Sequence, residues 1–165
     1  MKKLFILALL LLLLVGCRHP DNNGFETDYP SMRDVEHVYV KTNYTTAINL
    51  ILDGTGVVLF AFDTNKYACP YCEAAIPLLN EAAKEAGWDT IYYLDIYKMR
   101  SENTTEYRLL VGYLDSILDD LEERDGKAAL VVPDVYFVKD GQIVGHHIAT
   151  VYDGDQRVYD MNSKQ

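Results

Sequence analysis

Residues 57–62, VVLFAF, are apolar at every position, and the run has the length of a strand. A strand with no polar face suits a parallel sheet covered by helices on both sides. The flanking patterns agree. Within residues 43–56, Ala47, Ile48, Ile51 and Leu52 repeat at helical spacing, and Gly54-Thr55-Gly56 stops the helix. Beyond the run, Cys72, Ala75, Ile76, Leu79, Ala82, Ala83 and Ala86 fall on one helical face, with Gly87 at the end and Pro77 expected to kink the helix. Residues 36–42 and 90–96 read as further strands. Residues 97–103 read as a connection, and Asn103 with Glu106 reads as a capping pair for a helix running to about Glu123. Its apolar stripe is Tyr107, Leu110, Val111, Leu114, Ile117, Leu118 and Leu121, while Asp115, Asp119, Asp120, Glu122 and Glu123 make a solvated face. Two last strands, 135–138 and 142–151, are joined by a Lys139-Asp140-Gly141 hairpin turn. The order β-α-β-α-β-α-β-β predicts an α/β domain with a central mixed sheet, parallel at first and closed by an antiparallel hairpin.

Residues 1–16 are not fold. Lys2 and Lys3 precede an apolar run at 4–15, shorter than the ~20 residues of a membrane span, which is the pattern of a secretory signal. Leu14-Val15-Gly16-Cys17 resembles the lipobox of bacterial lipoproteins, in which the cysteine is lipidated and becomes the first mature residue. Residues 17–34 are polar and aperiodic, with two prolines, and read as a lipidated cysteine and flexible tether; residues 35–165 form the domain. The expected location is the extracytoplasmic face of a bacterial cell membrane, with contact made through the lipid on Cys17. Loss of residues 1–16 removes Lys2 and Lys3 from the 15 basic side chains and leaves 13 against 25 acidic ones, a balance near −12. That charge argues against nucleic acid as a partner and against docking on anionic lipid by charge.

Three cysteines are present, and acylation of Cys17 leaves Cys69 and Cys72 as a pair in an oxidising compartment. A CxxC pair can be a redox couple, half a metal site or a structural disulfide. The thiolate is the attacking species, and Cys69 lies where a helix begins, whose N–H groups and dipole favour negative charge. The spacing sets Cys72 one turn inside, so Cys69 can attack a substrate disulfide and Cys72 can resolve the mixed disulfide. Pro70 suits the first helical turn. A metal site would recruit His146 or His147 to the two sulfurs around copper or zinc, but neighbouring strand residues point to opposite faces, so only one imidazole joins easily. Asn43 and Asn103 open glycosylation-like triplets, which read more simply as helix caps and chance matches.

From about Val35 to Val151 the chain resembles the thioredoxin superfamily. The resemblance rests on Cys69-Pro70-Tyr71-Cys72 between strand and helix, Pro77 within that helix, Val132-Pro133 before a strand, and the closing hairpin VYFVKDGQIVG. It implies thiol–disulfide oxidoreductase activity through a Cys69–Cys72 disulfide, with no cofactor. It further implies a cis Pro133 against the sulfurs, Val132 pairing with substrate backbone, and Pro70 and Tyr71 at the groove rim. Asp63, six residues before Cys69, corresponds in offset to a buried acid that exchanges a proton with the resolving cysteine; burial would raise its pKa. The substrates implied are protein thiols and disulfides, with a further redox partner, and the chain is expected to act as a monomer. Cys-Pro-Tyr-Cys is also the glutaredoxin form, but Gly145-His146-His147 stands where glutaredoxins have a glycine pair, so glutathione is not expected. The family's last helix is not evident in the short polar stretch 152–165. The lipobox with CPYC also resembles extracytoplasmic thioredoxin-like lipoproteins and bacteriocin-transport accessory proteins. Two other readings stay open: a non-enzymatic accessory that uses the fold to hold an export partner, and, from the cysteine pair with His146 or His147, a copper-binding lipoprotein.

Overall fold

The computed structural model describes residues 24–148, 151–153 and 156–158. The signal-like segment, Cys17 and residues 18–23 and 159–165 lie outside the described residues. The apolar run forms β2 (Gly56–Ala61), whose residues 57–61 are all buried. It is buried because it lies in the middle of a five-stranded sheet. Counting β1 (Tyr39–Lys41), β3 (Ile91–Asp95), β6 (Asp134–Lys139) and β7 (Gln142–Ile148), the spatial order is β1-β3-β2-β6-β7. β1 and β2 both run parallel to β3, whereas β6 is antiparallel to β2 and to β7. This is the central mixed sheet flanked by helices that the order of elements in the sequence predicts.

Each helix starts and stops for a local reason. In α2 (Tyr44–Asp53) the Asn43 side chain caps by accepting from Thr46 N. α3 (Pro70–Glu85) starts at the cysteines and contains Pro77. Residues 97–103 are not a bare connection, because Tyr97–Ser101 forms a short helix, α4. Thr104, not Asn103, caps α5 (Thr105–Ile117) by accepting from Tyr107 N, and Asn103 adopts a positive φ of 48°. α5 also ends earlier than expected. Leu118 is extended, the chain turns away, and residues 123–128 form the two-residue strands β4 (Glu123–Arg124) and β5 (Lys127–Ala128). Leu118 and Leu121 still pack on the core, which is why their periodicity imitated a longer helix.

The closing hairpin turns on Asp140 and Gly141, with φ of 51° and 72°, directly between the paired Lys139 and Gln142. Two positive φ values are what a two-residue primed turn demands. A Cβ on Gly141 would lie 2.2 Å from Leu52 O, so the turn also fits closely under the end of α2. Of the strand predicted over 142–151, Gln142–Ile148 is described as β7, and β8 (Val151–Asp153) pairs with β9 (Gln156–Val158) as a hairpin where the resemblance would put a last helix.

The expected tether is corrected from Gly24 onward. Phe25–Asp28 is a helical turn, α1, followed by a 3-10 turn at Pro30–Met32. Phe25, Tyr29 and Met32 are buried in the core. The Phe25 ring stacks on Tyr39 at 4.4 Å and meets Tyr29, His37 and Tyr93 at 5.0–5.3 Å. Asp28 is buried and takes Lys41 Nζ at 2.7 Å and Tyr93 Oη at 3.0 Å, so its charge is paired. The sequence signal was present: Phe25, Tyr29 and Met32 recur at i, i+4 and i+7, a pattern masked by the polar residues and proline between them.

A disulfide beyond the end of the central strand

β2 delivers the chain to the site. After Ala61 the backbone runs through residues 62–68 and enters α3 at Pro70, with Cys69 as the N-cap. Cys69 and Cys72 are joined as a disulfide. The Cys69 Sγ also accepts from Cys72 N at 3.2 Å, so one first-turn N–H of the helix already points at that sulfur. Cys69 retains 5% exposure and Cys72 none. Both belong to the core cluster, and they differ in that the Cys69 sulfur caps the helix and Cys72 is covered completely.

Pro133 reaches the same end of the sheet by a different route. Phe60, near the end of β2, lies opposite Asp134, the first residue of β6. The bond just before, Val132–Pro133, is cis, and both residues are buried. The cis bond thus lies beside the end of β2, the strand from which the chain runs on to Cys69. Pro70 is exposed at the N1 position and Tyr71 is half-buried beside the core.

Asp63 is buried as expected, but its pKa is shifted down rather than up. Its carboxylate accepts from Asn65 N at 2.9 Å and Asn65 Nδ2 at 3.0 Å and pairs with Lys66 at 3.1 Å. Burial works to raise its pKa, yet those donors outweigh burial and hold it below the ordinary value. An acid kept ionised in this way is not a proton donor near neutrality. Lys66 also reaches Asp95 at 2.8 Å, and Asp95 in turn accepts from Asp63 N and Tyr97 N. The group fixes the loop that leads to Cys69.

Two sets of contacts brace that loop and were not read from sequence. From the N-terminal side, Tyr29 Oη donates to Phe62 O, Thr64 donates to Asp28 O, and Asn65 Nδ2 donates to Thr27 O. From α4, Tyr97 stacks on Tyr67 and meets Phe62 edge-on. The Arg100 guanidinium lies 5.3 Å from the Phe62 ring centre and donates to Leu130 O, ahead of Val132. Tyr67 is 52% exposed, so this aromatic group shows an open side next to Cys69.

His146 and His147 point to opposite faces of β7, as expected of neighbours in a strand, and neither is directed to the sulfurs by a hydrogen bond. His146 lies between Asp120 and Asp134. Among the described residues no group of three or more histidine, cysteine or acidic side chains is placed to hold a metal ion. Nor is any described helix long and apolar enough to cross a membrane.

No protein-family model matches the chain, and no curated protein matches it. Among solved structures, it is similar to thioredoxin O1 from Arabidopsis thaliana in its oxidised state, with 21% identity over 71% of this chain and 86% of that one, at a TM-score of 0.40.

Proposed function

We propose that this chain is an extracytoplasmic thiol–disulfide oxidoreductase that exchanges disulfides through Cys69 and Cys72. The observation that carries the reading is the paired cysteines at the N-terminus of α3, at the sheet end where the cis Val132–Pro133 bond enters β6. In the reduced form a thiolate at Cys69 is favoured by the α3 dipole and by the Cys72 N–H already aimed at it. That sulfur attacks one sulfur of a substrate disulfide, a mixed disulfide forms, and the substrate's other sulfur leaves as thiolate. The Cys72 thiolate then attacks Cys69 Sγ, which forms the internal disulfide and releases the second substrate thiol. Run in reverse, the same steps oxidise a dithiol. Val132 supplies backbone for an extended substrate segment, with Pro133, Pro70 and Tyr71 shaping the groove. The wild-type protein is expected to reduce insulin in the presence of dithiothreitol, or to oxidise a dithiol peptide. A Cys69→Ser/Cys72→Ser double variant that remains folded is expected to do neither. Equal rates for the two proteins would reject the reading.

We further read Cys17 as the point of membrane attachment, on the strength of the lipobox-like Leu14-Val15-Gly16-Cys17 after the apolar run. The packing of Phe25 and Tyr29 limits the spacer to residues 18–23. Even fully extended, that length reaches no more than about 25 Å, so the domain would work close to the lipid headgroups. Full-length protein expressed in a bacterium should incorporate radiolabelled palmitate, and Cys17→Ser should lose the label. A label retained in the variant would place the anchor elsewhere.

A further inference from the structure

The cis-proline sits at the end of a long excursion from the sheet. After α5 the chain passes Asp120, makes the β4–β5 hairpin, and returns through Val132 and Pro133 to Asp134. One side chain touches both ends of this excursion. His146 Nε2 is 2.9 Å from Asp120 Oδ1, and His146 Nδ1 is 3.3 Å from Asp134 Oδ1. The imidazole stacks on Tyr136 at 5.2 Å with an interplanar angle of 13°, and Tyr136 Oη donates to Asp134 Oδ2 at 2.6 Å. Asp134 is 1% exposed, so the inner end of the chain of bonds is dry, while Asp120 is open to solvent.

We propose that His146, when protonated, is a latch that holds both ends of the 120–134 segment together and so positions the cis-proline wall of the substrate groove, and that loss of its proton frees the Asp120 end. The inference rests on the thiol–disulfide reading for its functional consequence, but not for the latch itself. An imidazolium donates from both nitrogens and can serve both carboxylates; a neutral ring donates from one only. The inner bond is the one retained, because the buried Asp134 has no water to replace it, whereas Asp120 has.

The groups that face His146 are Asp120 from the segment after α5, and Asp134 and Tyr136 from β6. Burial lowers the His146 pKa, but the bond to Asp120 and the charge of Asp134 outweigh it and leave it raised. Asp134 is pushed up to about 6 by burial, against the opposing bonds from Tyr136 and His146. Tyr136, buried beside Asp134, is raised further and stays neutral. A histidine raised by folding holds its stabilisation below its ordinary pKa of ~6.5 and loses it as pH rises through the folded value. A raised carboxyl acts in the same direction: folding binds its proton more tightly, so its contribution falls as pH rises from ~4 toward its folded value. The latch is therefore closed in mildly acidic to neutral solution and opens toward alkaline pH.

The test uses amide hydrogen exchange, corrected for intrinsic rates, on the oxidised wild-type protein and on His146→Gln and Asp120→Asn variants. Asp120 is exposed, so its variant keeps the fold even if His146→Gln does not. At about pH 6, exchange in residues 118–133 is expected to be about two- to fivefold faster in Asp120→Asn than in wild type, the effect of one ion pair whose outer partner is exposed to solvent. At about pH 9 the two should converge as the wild-type latch opens. The ratio of wild-type to variant kcat/KM on a peptide disulfide should follow the same course, since taking the ratio cancels the thiol titration common to both. Equal protection of residues 118–133 in wild type and Asp120→Asn at all pH values, or a protection ratio that does not change with pH, overturns the latch. A pH-dependent protection ratio in a protein with no exchange activity supports the latch and rejects the redox reading instead.

Discussion

Phe25→Ala is expected to destabilise the domain by about 3–5 kcal/mol, the cost of truncating a fully buried phenylalanine. The size follows from its surroundings. The ring touches the aromatic rings of Tyr29, His37, Tyr39 and Tyr93, which come from the N-terminal turns, the lead into β1, β1 itself and β3. Those side chains are held by the backbone and by hydrogen bonds, Tyr39 Oη to Ile76 O and Tyr93 Oη to Asp28, so they cannot easily collapse into the space. Urea unfolding should show a lower midpoint at an unchanged slope, and the thermal midpoint should fall by roughly 10–20 °C. A tether residue would cost almost nothing, so a change below about 0.5 kcal/mol would return residues 24–32 to the status of a linker. Function should suffer as well. Asp28 O and Thr27 O hold Thr64 and Asn65, and the loop they steady runs straight into Cys69.

The second large effect separates the two cysteines. Cys69→Ser should abolish exchange and form no adduct, whereas Cys72→Ser should also stop turnover but accumulate mixed disulfides through Cys69. The reasons are geometric and electrostatic. Only Cys69 has any exposure, and its sulfur caps α3; the Cys72 sulfur is covered completely and can meet Cys69 but not a protein substrate. In the reduced protein at neutral pH, alkylation of Cys69 should be at least about tenfold faster than that of Cys72, because a helix N-terminus lowers a thiol pKa and burial in apolar surroundings raises it. Mass spectrometry of the alkylated peptides reads this directly. Faster labelling of Cys72 would reverse the assigned roles. Adducts that fail to form on Cys72→Ser in cells or with a peptide disulfide would count against Cys69 as nucleophile.

Much of the fold was legible because its signals are local. β2, β3, α2 and α3 lie within a residue or two of where periodicity placed them, and the Asp140-Gly141 turn was evident from residue type alone. α5 was overextended because Leu118 and Leu121 keep a helical spacing while serving an irregular segment. Asp63 was misread because burial was weighed without its donors, and Asn65 and Lys66 became visible as donors only once the loop had a shape. Residues 24–34 were misread because composition outweighed a three-residue apolar pattern.

The sequence by itself determined the order of the five strands of the central sheet and the three long helices between them, the start of α3 at the cysteines, and the candidate redox pair, since each depends on residues close together in the chain. Only the tertiary structure decided that Val132–Pro133 is cis at the same sheet end as Cys69, that the N-terminal turns belong to the core, and that His146 joins Asp120 to Asp134. Those arrangements depend on strand register and on side chains far apart in the chain meeting in a dry interior. There a charge or a hydrogen-bond donor must find its partner wherever the fold brings one.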